Sequence, residues 1–400
     1  MSWPLVALKD CCTVVGGATP KREVESYWDS QDIPWVTPKD ISKIKSIYLD
    51  DAPEYISQKG FDSCAAHKLP EGSLLLTSRA PIGNVAITTR ELCTNQGFKS
   101  LVPSESVDIK YLYFCMLYSA ERLENEGNGA TFKEVSKKVV EAFKIPLPPL
   151  ETQKQIAEVL EKADQLRKDC QQMEQELNSL AQSVFIDMFG DPLTNPKGWE
   201  VRKLKEFYIS EKDGTKCGPF GSALKKEEFV ESGVPVWNMD NIALNGTFRD
   251  GASLWITKQK YEELDKYSVN QGDVIISRAG TVGKMGVVKS IYEQSIISTN
   301  LIRVRFGDKL DPLYFVCLMT YFKTRLKRLK VGDDGSFSHM NTGILDQLEF
   351  PYPPVEEQQK YIQFRSKLDD EIERLTSLKN EQECNFNSLM QKAFKGELNL

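Results

Sequence analysis

Histidine is nearly absent from this 400-residue chain: there are two, His67 and His339, and neither has a ligand set near it in sequence. Both read as ordinary hydrogen-bonded side chains. The nine cysteines include an adjacent pair, Cys11 and Cys12, but no Cys-x-x-Cys spacing. That excludes a structural zinc site and a disulfide framework, so no metal ligand is assigned and the thiols read as reduced. No Gly-x-Gly-x-x-Gly follows a strand pattern, no Gly-Lys-Ser/Thr closes a phosphate loop, and no His-Glu-x-x-His is present. The Pro-Pro pairs lack the preceding Asn or Asp of an amino-methyltransferase motif, and no catalytic residue is assigned. No apolar run approaches the roughly 20 residues that span a bilayer. The start, Met1-Ser2-Trp3-Pro4, lacks the charged-then-apolar pattern of a signal peptide, so no membrane role and a cytoplasmic location are expected. Excess positive charge is also missing: 51 Lys and Arg against 57 Asp and Glu give −6. A chain that coats nucleic acid by bulk electrostatics is thereby excluded, while local basic surface is not.

What is present is a globular composition, 40% hydrophobic and 27% charged, in a chain too long for one ordinary core. It is also duplicated. Ile33-Pro34-Trp35-Val36 returns as Val234-Pro235-Val236-Trp237, and Gly72 to Ala80 (GSLLLTSRA) returns as Gly272 to Ala279 (GDVIISRA). Thr94-Asn95 answers Thr299-Asn300, Leu112-Tyr113-Phe114 answers Leu313-Tyr314-Phe315, and Pro148-Pro149-Leu150-Glu151-Thr152-Gln153 answers Pro353-Pro354-Val355-Glu356-Glu357-Gln358. Matches in the same order across both halves indicate two copies of a domain, with a period far too long for a solenoid.

Each half changes character after its Pro-Pro pair, from a β-rich stretch punctuated by Gly and Pro to a charged helical one. From Ile156 the apolar positions Val159, Ala163, Leu166, Cys170, Met173, Leu177, Leu180 and Val184 alternate steps of three and four, the seam of a coiled coil. This helix ends at Gly190-Asp191-Pro192. The second copy is rougher, with Tyr361, Phe364, Leu368, Ile372, Leu375, Leu378, Phe386 and Leu389 interrupted by Gln382. Two such helices most simply bury their seams against each other as an antiparallel pair, the alternative being that each packs on its own domain. The expected fold is therefore α+β, divided into domains at 1–149 and 191–354 and helices at 150–190 and 355–400. Residues 150–190 hold four basic and eight acidic side chains, and 355–400 hold seven and nine, so the helices carry the whole net charge. The globular halves are near neutral, which permits basic groups to gather on one face.

The strands Leu74-Leu75-Leu76-Thr77 and Val274-Ile275-Ile276-Ser277 each lead to an arginine, Arg79 or Arg278, beside a Gly-containing turn that carries Asn84 or Lys284. A guanidinium there can reach a phosphate or a guanine edge, or it can serve the hairpin as a salt bridge. Residues shared by the repeats suit backbone contact, and divergent ones suit base reading. Divergent candidates are Thr37, Lys39, Asp40 and Lys43 in the first copy, against Asn238 and Asn241 in the second, with a solvated loop as the plain reading. Lys99 follows Thr94-Asn95-Gln96-Gly97-Phe98. Lys216, Ser222 and Lys225 lie on a Gly-rich basic loop, and Lys323, Arg325 and Lys327 belong to the densest basic run, suited to phosphate or to a solvated helix face.

Two unlike globular halves, each ending in a proline-rich entry to a long helix, resemble the specificity subunit of a type I restriction–modification system. Ile145 to Ile156 (IPLPPLETQKQI) is similar to that family's central conserved region, with Phe350 to Gln358 as the distal copy, and Gly72 to Gly83 and Thr94 to Phe98 are similar to its target-recognition domains. The second copy departs by having Leu301-Ile302-Arg303 where the first has Gln96-Gly97-Phe98. The resemblance implies two target-recognition domains, each reading half of a split site in double-stranded DNA, with the helices as a ruler. It also implies docking of two methyltransferase subunits and of motor–nuclease subunits, which would hold S-adenosylmethionine, ATP and magnesium, leaving this chain without cofactor or catalysis. Ile156, Val159, Leu166, Met173, Leu177, Leu180, Phe364, Leu368, Leu375 and Leu378 are the expected helix-pair and partner contacts. Two other readings are a protein-binding scaffold with a coiled coil and a recognition fragment of a fused enzyme, the second disfavoured by the missing catalytic motifs.

Overall fold

The computed structural model describes the chain except residues 1–2, 45, 80, 128–132, 221, 279–282, 327–339 and 399–400. It forms two compact units, one of residues 1–172 with 375–400, the other of residues 173–374. The borders fall inside the two long helices, Leu150–Phe189 and Val355–Lys395, so each unit holds one repeat and a part of each helix.

In the first unit a five-stranded sheet runs in the order Cys12–Gly16, Lys99–Pro103, Leu74–Leu76, Val85–Thr88, Tyr48–Leu49. A three-stranded sheet places Ile33–Val36 between Glu54–Ile56 and Cys93–Thr94, and Leu5–Ala7 pairs with Lys144–Pro146. The second unit repeats this plan. Thr215–Cys217, Leu301–Val304, Val274–Ser277 and Met285–Val287 form one sheet, Trp255–Ile256, Val234–Trp237 and Ile296–Ile297 another, and Glu200–Lys203 pairs with Glu349–Tyr352.

Alternation along the central strands explains the layering, since successive side chains face opposite sides of a sheet. Leu74 and Leu76 join the core formed with helix Ile109–Tyr118, whereas Leu75 faces Val36, Ile41, Leu49, Ala86 and Phe98. Val274 and Ile276 likewise face helix Pro312–Leu326, and Ile275 faces the core around Trp237. The two tryptophans are not equivalent. Trp35 pairs with Cys93 and Trp237 with Ile297, while Val36 and Val236 fill the complementary positions beside Thr94 and Ile296. The shift turns Trp237 toward the central strand and Trp35 toward Ile33, Ile56 and Cys93.

Within the first unit, Ile156, Ala157, Leu160 and Ala163 of the first long helix share the repeat's core with Phe386, Met390, Ala393 and Phe394 of the second. Within the second unit, Phe185 and Phe189 pack with Tyr314, Phe322 and Tyr361. Each helix thus packs on a repeat and meets the other helix inside the same core. All nine cysteines are free thiols. No described helix is long and apolar enough to cross a membrane.

Candidate nucleic-acid interface

Both divergent loops turn out to be one device used twice. The chain leaving Ile33–Val36 enters a short helix capped by Thr37, whose backbone N–H and hydroxyl both donate to the Asp40 carboxylate at 2.8 and 2.7 Å. The chain leaving Val234–Trp237 enters a single turn capped by Asn238, whose N–H donates to the Asn241 side-chain oxygen at 2.9 Å. These are reciprocal capping boxes. Asn241 is 2% exposed, and its amide donates to the carbonyls of Arg249 and Gly251, so its hydrogen bonds serve the loop. Asn238 donates to Ser253, whereas Lys39 and Lys43 are exposed cations beside the first cap.

Two hairpins stand beside these caps. In each, a strand residue and its partner close a six-residue turn: Thr77 N–H donates to Asn84 carbonyl at 2.9 Å, and Ser277 N–H to Lys284 carbonyl at 2.8 Å. Gly83 and Gly283 end the turns at φ +90° and +77°, which favours glycine. In this frame Ser78 and Arg278 correspond, because their N–H groups donate to the carbonyls of Gly97 and Asn300. Arg79 and Arg278 are therefore one position apart, and the apparent repeat of arginines is corrected by the hairpin register. Arg79 is exposed and pairs with Glu134 at 3.0 Å. Lys99, only 14% exposed, lies 3.7 Å from the same carboxylate. Burial draws the Lys99 ammonium below the ordinary lysine range, opposed by Glu134. Asn84 is half-buried, and Lys284 donates to the Met239 carbonyl at 3.0 Å, tying the second hairpin to the second cap.

The loop after Thr215–Cys217 is the second unit's other basic element. A Cβ on Gly218 would run into the Ser298 carbonyl, as one on Gly17 would into those of Thr94 and Asn95, so glycine lets each loop press against the neighbouring strand. Lys216 is half-buried on the strand, while Ser222 and Lys225 are exposed, with Phe220 exposed between them and the glycine. Lys225 N–H donates to Glu228, and the Lys225 ammonium is solvent-facing. Lys323 and Arg325 lie on helix Pro312–Leu326, their side chains outside the described residues, as is the whole of Lys327.

A buried ionic network escaped sequence reading. Arg303, 1% exposed, donates to the Ser268 carbonyl and to Asp213, and Arg305 bridges Asp213 and Asp273 at 2.5 and 2.8 Å. Burial opposes ionisation of Asp213, yet the two guanidiniums hold its carboxyl below the ordinary carboxylate range. Alternate arginines at 303 and 305 were the available signal, but the carboxylates lie 32 and 90 residues away in sequence. Among the described residues no group of three or more His, Cys, Asp or Glu is placed to hold a metal ion.

On the helices, Ile156, Leu368 and Leu375 are buried and Val159, Leu177 and Phe364 half-buried. Leu166, Met173 and Leu180 are 54%, 49% and 45% exposed, and Leu378 is exposed too. The expected seam positions 156, 163, 170 and 177 turn inward, but the alternate inward step is four residues, not three. Arg167 replaces Leu166 on the inner face because its guanidinium lies over Phe386 and joins Asp164 and Glu383. Leu166 in the first unit, and Met173 and Leu180 in the second, each seven residues from the next along the first long helix, are thus exposed.

The model of the family described as type I restriction modification DNA specificity domain matches residues 2–179 and 196–383. The type I restriction enzyme MjaIX specificity subunit of Methanocaldococcus jannaschii is 36% identical over 219 residues, half of this chain and half of that relative's length. The MjaVIII specificity subunit of the same organism is 26% identical, over 75% of this chain and 72% of that one. A crystal structure of the S subunit of a type I restriction–modification system from M. genitalium superposes with a TM-score of 0.59 at 14% identity, covering 98% of this chain and 96% of that one, a likeness of fold.

Proposed function

Because this chain belongs to the type I restriction–modification DNA specificity family and carries two copies of its domain, we propose that each repeat reads one half of a split site in double-stranded DNA. The observation that carries this reading is the shared frame with unshared side chains: the same cap and the same hairpin occur in both repeats, displaying Lys39, Lys43, Arg79 and Asn84 in one and Asn238, Arg278 and Lys284 in the other. A common frame suits the regular backbone of the duplex, and different groups on it suit two different half-sites. Lys99, Lys216, Ser222 and Lys225 add further polar and basic groups for the duplex, and the basic run of Lys323, Arg325 and Lys327, whose side chains lie outside the described residues, suits phosphate by its charge. Thr37, Asp40 and Asn241 hold the loops that present those groups. Each mismatched base pair costs about 1–3 kcal/mol, roughly additively for separated positions, so two half-sites multiply discrimination.

The two long helices act as an antiparallel coiled-coil ruler between the repeats. Supporting this, Arg167 pairs with Glu383 in the first unit and the Tyr361 hydroxyl donates to the Ala181 carbonyl in the second, so residue numbers rise along one helix as they fall along the other. The exposed Leu166, Met173 and Leu180, at heptad spacing, offer docking contacts for two methyltransferase subunits, to which motor–nuclease subunits add. S-Adenosylmethionine, ATP and magnesium belong to those partners, and the chain works in the cytoplasm.

The test is to co-express the chain with its methyltransferase in a host lacking adenine methylation and to map modified adenines. A split motif of fixed gap is expected. A stable complex with an active partner and no methylation would move the reading to a protein-binding scaffold.

A further inference from the structure

Gln153 and Gln358 occupy the same buried place in the two repeats, 1% and 0% exposed. The Gln153 side-chain oxygen accepts the Asp108 N–H at 2.9 Å, and its amide nitrogen donates to the carbonyls of Ser106 at 3.0 Å and Pro148 at 2.8 Å. Gln358 accepts the Asp311 N–H at 3.0 Å and donates to the Pro353 carbonyl at 2.9 Å. Asp108 and Asp311 in turn cap the helices that back the sheets, accepting the N–H groups of Tyr111 at 2.9 Å and of Leu313 at 2.8 Å. One amide therefore ties three elements in each unit: the first turn of a long helix, the Pro-Pro segment before it, and the start of the helix packed on the sheet.

The arrangement has no slack. A buried amide that moves must break its bonds where water cannot replace them, so one direction of the long helix relative to its own repeat is favoured over its neighbours. Direction matters because the lever is long. A helix of 40 residues extends about 60 Å, and a tilt of about 3° at its root moves its tip by about 3 Å, close to the roughly 3.4 Å rise of one base pair. Ile156, Ala157 and Leu160 hold the helix on its repeat through non-directional core contacts, and the amide adds hydrogen bonds that are lost when the angle changes.

We propose that Gln153 and Gln358 are positioning residues that set the gap between the two half-sites, by fixing the direction in which each long helix leaves its domain. This rests on the DNA-reading function above. Glu151, two residues earlier, is outside this role: its carboxylate pairs along its own helix, with Lys154.

The experiment uses the full chain with its methyltransferase and reads the gap lengths of methylated motifs for wild type, Gln153→Met, Gln153→Asn, Gln358→Met and a destabilised control, Leu101→Ala, which opens a cavity in the first unit's core without removing any of the amide's hydrogen bonds. Wild type and Leu101→Ala should keep one gap. The glutamine variants should show a roughly tenfold rise in motifs whose gap differs by one base pair, with the half-site sequences unchanged, as loss of one or two net hydrogen bonds predicts. A single unchanged gap in all glutamine variants overturns the proposal. So does failure of every glutamine variant to accumulate while Leu101→Ala remains soluble, which would assign the amide to folding alone. No split motif from the wild-type chain overturns the recognition reading and this inference with it, whereas a fixed wild-type gap that the variants leave intact overturns only the inference.

Discussion

The guanidinium of Arg167 lies 4.9 Å from the centre of the Phe386 ring, between the two long helices of the first unit. Its Nη2 donates to the buried Asp164 at 2.6 Å and its Nη1 to Glu383 at 3.1 Å. A charged side chain thereby takes the inward position, and its predecessor Leu166 faces water.

That pairing separates stability from assembly. Arg167→Ala removes the contact with Phe386 and leaves Asp164 with Lys168 alone, a loss expected at about 1–3 kcal/mol. Leu166→Asp, on the exposed face, should change stability by less than about 0.5 kcal/mol and yet abolish co-purification with the methyltransferase. Urea denaturation and pull-down of both variants check this; equal loss of stability in the two would remove Leu166 as a docking contact.

Glu134 neutralises the cations nearest the first hairpin. Its carboxylate pairs with Arg79 and lies near Lys99. Glu134→Gln frees both for phosphate, so DNA affinity at moderate salt should rise several-fold and the slope of log K against log salt should steepen by about one. Lys39→Ala should move affinity the other way with assembly intact. Fluorescence anisotropy across a salt series distinguishes the two, and unchanged slopes would place the DNA elsewhere.

Acid should weaken the second unit through Asp213. Its carboxyl is held below the ordinary aspartate range by Arg303 and Arg305, with Asp273 the other acid of the network. Because the folded pKa is the lower one, the stabilisation is complete above about pH 4 and is lost as pH falls from there through the folded value. Asp213→Asn should flatten that part of the stability profile and lower its plateau. Thermal melts between pH 5 and pH 2.5 provide the measurement, and parallel profiles for variant and wild type would contradict it.

Gly218 governs where the basic loop of the second unit runs. With the Ser298 carbonyl in the way of any Cβ, Gly218→Ala must push the loop off the strand Leu301–Val304, to which Gly218 N–H donates at 2.9 Å. Methylation should then lose discrimination at the half-site read by the second repeat while the first half-site stays sharp. Identical motifs from variant and wild type would detach Lys216 and Lys225 from recognition.

Much of this molecule is written in local pattern. The duplication, the two long helices and their Gly190-Asp191-Pro192 and Pro-Pro punctuation, and the buried strands Leu74–Leu76 and Val274–Ser277 depend on spacing and backbone preference, which a linear chain carries by itself. Thr37, Asp40, Asn238 and Asn241 stand out in the sequence as polar loop residues, but their capping role does not, because a capping side chain and a solvated one look alike there. Tertiary structure decided the rest. Steps of three and four on a helix mark faces only a fraction of a turn apart, so whether Leu166 or Arg167 turns inward depended on Phe386 and Glu383, more than 200 residues away. The one-residue offset between Arg79 and Arg278 was set by strand pairing, and the burial of Gln153 and Gln358 by the helices they bind, since a polar side chain is stable inside only where distant backbone groups complete its hydrogen bonds.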